Sequence, residues 1–313
     1  MVDNYGRTIS YLRLSVTDLC NLRCRYCMPE AGVYKKRHED MLTEDEMVTA
    51  VTAAAQLGIR KLRITGGEPL VKKNILSICR RTAAVPGIDE VCVTTNGVLL
   101  KDFAENLKKS GVKRLNISLD TLNGEKFSRI TRGGNLQAVL SGIDAALSAG
   151  FRKIKINAVL IGGFNDDEIN ELAQLTMKQS VDVRFIELMP MVDTGYKDFD
   201  YLPASVVLDR APGLEPLSVD GVAKLYRLPG AVGNVGLISP VSDNFCDGCN
   251  RIRLTADGRF KPCLHAPEEF SVKGMDVTEM MEQFRRAVLA KPRWHGEFSA
   301  RSKAGREMNE IGG

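Results

Sequence analysis

Before residue 190 the chain holds six short runs, at 11–16, 61–65, 91–95, 113–119, 153–160 and 181–188, and all but the last precede a helical pattern. Repeated strand-then-helix order implies a parallel sheet with its helices outside. Strands covered on both faces read as nearly continuous apolar runs, and these do not. Leu12 and Leu14 flank Arg13, Leu62 and Ile64 flank Arg63, and Val93 and Thr95 flank Thr94. Leu115, Ile117 and Leu119 interleave Asn116 and Ser118, and Ile154 and Ile156 flank Lys155. Side chains alternate across a strand, so one face of nearly every run is polar or cationic. Helices must take the apolar face. The polar face then looks into a wet or ligand-filled lumen, as in a curved sheet or barrel with its site at the carboxyl ends of the strands. Edge strands are the alternative, but they cannot account for every run at once.

The first expected helix has Thr43 as N-cap, Glu46 completing a capping box, Met47, Val51 and Ala54 on one face, and Gly58 as its stop. Others are expected at 74–85, 101–110, 136–149 and 166–178. Six of the 12 prolines then fall between Pro190 and Pro240, which breaks the rhythm and marks a crossing into a smaller C-terminal region. That region holds a strand at 222–228, a hairpin of 251–255 and 259–263 around Asp257-Gly258, and a helix at 276–290. In that helix Val277, Met280, Met281, Phe284 and Val288 share a face, which reads as core rather than as a cofactor box. The expected fold is α/β: an incomplete (βα)6 TIM-like barrel over residues 1–221, with residues 222–313 closing its mouth.

With 44% hydrophobic and 26% charged residues, the composition excludes disorder, collagen and coiled coil. A net charge of +4 is too small for a protein that coats nucleic acid, yet it fits a local basic pocket for an anionic substrate. Residues 1–10 contain no apolar signal core and no stretch approaches a membrane span, so a cytoplasmic chain with no membrane partner is expected. Thiols stay reduced in that compartment, so the eight cysteines hold metal or pack quietly.

Cys20, Cys24 and Cys27 form C-x3-C-x2-C in the loop after the first strand. Three thiolates can hold a four-iron cubane and leave one iron open to a small chelating molecule. Structural zinc prefers four ligands, and His38 is the one nearby histidine. Cys246, Cys249 and Cys263 form C-x2-C-x13-C, where His265 could complete a Cys3His zinc site, so zinc is a more serious rival here. Cys79 and Cys92 remain, sit in apolar surroundings, and read as buried small side chains.

The run from Leu14 to Pro29, with Thr65-Gly66-Gly67-Glu68-Pro69 after the second strand, resembles the radical S-adenosylmethionine superfamily. The resemblance implies a [4Fe-4S] cluster on Cys20, Cys24 and Cys27, with S-adenosylmethionine chelating its open iron as the source of a 5′-deoxyadenosyl radical. Glycines at 66 and 67 would let backbone carbonyls approach the methionine ammonium. The second cysteine set, the Arg-x-Arg at Arg251 and Arg253, and the terminal Gly312-Gly313 are together similar to one radical family, the GTP 3′,8-cyclases of molybdenum cofactor biosynthesis, across essentially the whole chain.

That second resemblance implies another [4Fe-4S] cluster on Cys246, Cys249 and Cys263, facing the guanine of GTP. It places Arg13, Arg63, Thr94, Lys155 and the run Arg251-Ile252-Arg253 on GTP-binding positions. It also places Tyr26, Gly67, Ser118 and Met189 on S-adenosylmethionine-binding positions, with Arg184 lining the same pocket. Arg13, Gly312 and Gly313 are assigned catalytic roles with the first cysteine set. Leu19 and Leu22 depart from the arginine and the aromatic residue common there in the family. The product would be 3′,8-cyclo-7,8-dihydroguanosine triphosphate, passed to a cyclic pyranopterin monophosphate synthase; an electron donor and a homodimeric assembly are further expectations. A radical enzyme modifying a peptide, and a zinc-dependent nucleic-acid module using Lys and Arg as a surface patch, are the alternatives.

Overall fold

The computed structural model describes residues 1–32, 36–191, 199–296 and 302–312. All six expected strands form: β1 (Tyr11–Ser15), β2 (Lys61–Thr65), β3 (Glu90–Thr95), β4 (Val112–Ser118), β5 (Ile154–Leu160) and β6 (Val181–Glu187). They lie side by side in chain order, each neighbouring pair parallel. Stepping one strand over each time with crossovers of one hand puts every connecting helix on the same face. Those helices are α1 (Glu44–Gln56), α2 (Ile75–Ala83), α3 (Leu100–Lys109), α4 (Gly124–Thr131), α5 (Leu136–Ser148) and α6 (Ile169–Lys178). Leu12, Leu14, Leu62, Ile64, Leu115, Ile117, Ile154 and Ile156 bury against them in one core. The opposite face has no helical cover from these crossovers, which is the physical origin of the strand alternation.

The capping box of α1 forms as expected, with the Thr43 side chain accepting from the Glu46 N–H. Among these connecting helices one has no counterpart in the expectation. α4 spans eight residues, begins at a glycine and buries Phe127, Ile130 and Thr131, too short a stripe for periodicity to reveal. Its start is held by Asn123, whose side chain accepts from the Glu125 and Lys126 N–H groups.

After a short α7 (Val206–Arg210) come β7 (Glu215–Asp220), β8 (Ala223–Arg227), β9 (Val235–Ile238), β10 (Arg251–Leu254), β11 (Arg259–Lys261) and β12 (Phe270–Ser271). β9 adds in parallel to β6, and β10 adds in parallel to β1. The described strands make one sheet in the order β12-β11-β10-β1-β2-β3-β4-β5-β6-β9-β8-β7. β1 and β6 do not meet, so the barrel is open and the C-terminal strands extend both of its edges. β10 and β11 form the expected antiparallel hairpin, with Arg253 opposite Lys261. α8 (Val277–Leu289) and α9 (Met308–Ile311) complete the chain. No described helix is long and apolar enough to cross a membrane.

α8 starts with an Asp276–Glu279 capping box and buries Met280, Phe284, Ala287 and Val288, so its Met-containing stripe is core. The Phe284 ring meets Phe260 edge-on at 5.3 Å, and both are fully buried. Phe284→Ala should therefore cost about 3–5 kcal/mol. A fall in the urea midpoint of the purified protein is the check; an unchanged midpoint would mean that the C-terminal strands do not depend on α8.

Candidate functional site

Strand register sorts the lumen side chains into rows. Arg253, Arg13 and Arg63 stand in register across β10, β1 and β2. Thr94, Asn116 and Lys155 do so across β3, β4 and β5, and Ser118, Asn157 and Arg184 across β4, β5 and β6. Arg253 is 7% exposed, Lys155 5% and Arg184 8%. Charges this deep are costly unless anions answer them. Burial first, and then the neighbouring Arg253 and Arg63, push Arg13 well below the ordinary arginine value. Burial first and Arg184 second bring Lys155 down to about 8, against the pull of Asp220. Tyr11 OH, Arg63 Nε, Thr94 Oγ1, Asn116 Oδ1 and Arg184 Nε are buried without a hydrogen-bond partner among the described residues. A ligand with acceptor oxygens for the cations and hydroxyls, and a donor for Asn116 Oδ1, would relieve both penalties at this wall.

β1 leads at its carboxyl end into the first cysteine loop, and that loop leans on α4. The Arg23 and Arg25 N–H groups donate to the carbonyls of Thr131 and Ile130, while Arg132 Nη1 donates to Arg23 O (2.8 Å) and Met28 O (3.2 Å). Arg132 takes the left-handed conformation, φ 54°, at the C-cap of α4. On the other side Gly66 and Gly67 press against the carbonyls of Thr17 and Asp18, with Gly67 N–H donating to Thr17 O (2.7 Å) and Glu68 N–H to Leu19 O (2.8 Å). The Glu68 carboxylate accepts from the Thr95 hydroxyl and from the Leu70 and Asn96 N–H groups; burial nonetheless raises it to about 7. Burial, then Cys27, Asp120 and Cys20, raise Cys24 well above an ordinary thiol, and Cys27 is pushed up to about 12 by burial and then Cys20. The three sulfurs are close enough to oppose one another's ionisation, so holding them as thiolates requires local positive charge such as bound iron.

The second set gathers at the opposite end of the strands. Cys249 immediately precedes Asn250 and β10, Cys263 follows β11, and both act on the charge of Arg251. Burial opposes ionisation of Cys249, but Arg251, Lys291 and hydrogen bonds from Arg251 bring it down to about 6. His265 does not complete the set in this arrangement. Its Nδ1 lies 3.0 Å from Ser302 Oγ, and burial, then His295 and Arg253, lower it to about 3. Among the described residues no group of three His, Cys, Asp or Glu converges tightly enough to hold a single metal ion. A cubane asks for a looser grouping, because each thiolate binds a different iron, and within each cysteine set the thiols lie close enough to act on one another's ionisation.

Most expected site residues face this lumen or its rim. Tyr26 OH donates to Asp120 Oδ2 (2.6 Å), Ser118 ends β4, and Met189 follows β6, half-buried. Arg251 lies 5.2 Å over the Phe245 ring. Gly312, at φ 80°, is buried against Ser15 and Thr65 and accepts from Arg253 Nη1 (2.9 Å); Gly313 lies outside the described residues. Ile252 differs, because alternation turns its side chain into the helix-side core and leaves only its backbone at the lumen. Cys92 needs a correction. It is buried, but it shares the polar face with Thr94, stands in register with Arg63 and Arg114, and donates to Glu90 Oε1 (3.0 Å). Cys79 packs in the apolar core as expected. Leu22 is buried beside Gly134, and the exposed Leu19 serves the loop through its backbone.

Three supports escape sequence reasoning. Buried Arg7, paired with Asp3 at 2.6 Å, donates to the carbonyls of Cys246, Pro292 and Arg293 and so pins the second cysteine loop. Arg306 binds Asp257 and Glu269 and anchors the C-terminal segment, whose Asn309 N–H donates to the Cys27 sulfur. Asp220 binds Lys155 and Arg184. Apart from the local Asp3–Arg7 pair, each partner lies far away along the chain, where no local pattern signals it.

Residues 14–176 match the radical SAM superfamily, and residues 181–297 match Molybdenum Cofactor Synthesis C. The chain is 47% identical to the GTP 3′,8-cyclase of Alkaliphilus metalliredigens over 322 residues, covering 100% of both chains. It is 48% identical to that of Peptoclostridium acidaminophilum, covering 100% of this chain and 98% of the relative, and 46% identical to that of Moorella thermoacetica, covering 100% of both. Among solved structures, Streptococcus suis SuiB bound to S-adenosylmethionine aligns with a TM-score of 0.61 at 15% identity, over 88% of this chain and 64% of that one. HydG, a maturase of the [FeFe]-hydrogenase, aligns with a TM-score of 0.51 at 18% identity, over 65% of this chain and 48% of that one. At those identities the two structures speak for the fold alone.

A Cβ on Gly67 would fall 2.6 Å from Asp18 O and closer still to Leu19 O, and backbone cannot yield as a side chain can. Gly67→Ala should displace the loop that carries Cys20, removing iron and sulfide from the first cysteine set while sparing the second. Metal analysis and electron paramagnetic resonance of the reduced protein check this; wild-type iron content would show that the loop adapts.

Proposed function

The chain belongs to the GTP 3′,8-cyclases of the radical S-adenosylmethionine superfamily, and from that premise we infer that it converts GTP to (8S)-3′,8-cyclo-7,8-dihydroguanosine 5′-triphosphate, the first step of molybdenum cofactor biosynthesis. The observation that carries this reading is the arginine row on two adjacent parallel strands. β1 runs into Cys20 beyond its carboxyl end, β10 follows Cys249 at its amino end, and Arg13 and Arg253 stand in register between them. A nucleotide held by that row has one cysteine set towards each end.

Cys20, Cys24 and Cys27 would hold one [4Fe-4S] cluster, and Cys246, Cys249 and Cys263 the other. With S-adenosylmethionine bound, the first cluster supplies a 5′-deoxyadenosyl radical able to take hydrogen from C3′ of GTP. The protein's part is positional. Arg13, Arg63, Thr94, Lys155, Arg251, Arg253 and the Ile252 backbone hold the phosphate chain and ribose, while the second cysteine set faces the guanine. Fixing C3′ near C8 in a lumen closed to water makes ring closure the favoured outcome. Tyr26, Gly67, Ser118 and Met189 line the S-adenosylmethionine pocket, and Arg184 stands at its border, beside Lys155 and within reach of the phosphate chain. Gly312 and Gly313 complete the catalytic set with Arg13; at Gly312 glycine alone leaves room, since a Cβ there would sit 2.5 Å from Thr65 Oγ1.

In this reading residues 1–221 are the radical core and 222–313 the region that carries the second cluster. The protein works in the cytoplasm, draws on an electron donor, assembles as a homodimer and passes its product to a cyclic pyranopterin monophosphate synthase. A peptide-modifying radical enzyme would instead need a groove for an extended chain, and a buried row of guanidiniums is the wrong lining for one.

Anaerobic incubation with S-adenosylmethionine, reductant and GTP, followed by mass spectrometry, tests the reaction; cleavage of S-adenosylmethionine with GTP left intact would refute it. Arg253→Ala should weaken GTP binding about tenfold or more, since a charge-assisted contact is worth roughly 1.5–3 kcal/mol, and leave S-adenosylmethionine binding nearly unchanged. Equal losses for both ligands would mean that the substitution merely unfolds the region.

A further inference from the structure

Lys155 and Arg184 meet on a single carboxylate oxygen. Lys155 Nζ lies 2.7 Å and Arg184 Nη2 lies 2.5 Å from Asp220 Oδ2. Asp220 ends β7, the last strand at that edge of the sheet, just before a turn in which Gly221 has φ 64°. Every residue of β7 is exposed, and the Asp220 side chain is 51% exposed, whereas both cations are buried. A surface hairpin thus lends an acid to two lumen cations: the groups in register with Lys155 are Asn116 and Asp182, and Asp182 accepts from the N–H and side-chain amide of Asn234 and acts on Arg184 through space.

One carboxylate oxygen is a meagre partner for two cations. Lys155 carries three donors and Arg184 five, and Arg184 Nε has no acceptor among the described residues. A phosphate chain offers more oxygens and more charge in the same place. The acid has little to hold it, since its own strand is exposed along its whole length. Resting on the reading of this lumen as a nucleoside triphosphate site, we propose that Asp220 is a displaceable counter-ion: it neutralises Lys155 and Arg184 until a phosphate chain takes them over, and it keeps small anions from settling there. Asp220 then sets the affinity of the site for polyphosphate, holding it below what the cations alone would give.

Titration calorimetry on the cluster-loaded protein, without reductant or S-adenosylmethionine, tests this with GTP, inorganic tripolyphosphate, orthophosphate and guanosine. For Asp220→Asn, GTP and tripolyphosphate should bind about tenfold more tightly, the scale of one charge-assisted contact. Orthophosphate should begin to compete with GTP, and guanosine, which has no phosphate, should be unaffected. Asp220→Glu, which restores a carboxylate on the same hairpin, should return the affinities towards those of the wild type. Unchanged or weaker binding of GTP and tripolyphosphate by Asp220→Asn at normal iron content would overturn the proposal and make Asp220 a permanent brace. Tighter tripolyphosphate binding by the variant, with GTP bound by neither protein, would sustain the counter-ion and refute the substrate. If neither protein bound either compound, both would fall.

Discussion

Burying guanidinium and ammonium groups on one face of a sheet is the costly act around which this molecule is arranged. The crossover helices cover only the other face, and acids reach the cations mainly from the margins of the lumen. Glu90 takes Lys61 and Arg114, and is drawn down to about 2 by them despite its burial. Asp220 takes Lys155 and Arg184 from the opposite edge, and the thiols of the second cysteine set lie beside Arg251 and Arg253. The middle of the wall, Arg63, Thr94 and Asn116, keeps polar atoms that no group among the described residues completes. That gap is where substrate recognition and the energetic needs of the fold coincide, because the same contacts would serve both.

The parts of this arrangement legible in the sequence are those with short-range periodicity. Arg13, Arg63, Thr94, Ser118 and Lys155 stand out because apolar neighbours on both sides give each strand a period of two. The same signal applied to residue 92 needed one more step: Cys92 shares the face of Thr94, and its apolar flanks are the residues that point away from it. α4 gave no signal because an eight-residue helix with three buried side chains has no repeat to show. β7 is exposed throughout, so no alternation marks it, and the role of Asp220 at its end depends on pairs 65 and 36 residues apart. The cysteine spacing marked out both sets, and the family resemblance gave them their clusters, but the supports of their loops, Arg7 and Arg132, belong to tertiary structure alone.

The two cysteine loops are supported in different ways. The first is gripped from later in the barrel by α4 and the Gly66-Gly67 turn, with the C-terminal segment added through Asn309. The second depends on the start of the chain: Arg7 fixes three of its surrounding carbonyls, and Asn250 O accepts from the N–H groups of Ser10 and Tyr11. A change in residues 3–7 would therefore be felt some 240 positions away, at Cys246, before it affected the nearer Cys20.

The parallel pairing of β1 with β10 also bears on how the molecule is made. Tyr11 and Arg251 are register partners separated by 240 residues, so β1 leaves the ribosome with one edge of its ladder unfilled and waits for most of the chain before it is covered. Long-range parallel pairing is slow, and an open strand edge is a site for wrong partners in the meantime. The second cysteine set, flanking β10, is translated later still than most of the sheet it joins. Iron loading of that set would then be a late event in biogenesis, and a chain interrupted before β10 would expose its own first strand as the template for aggregation.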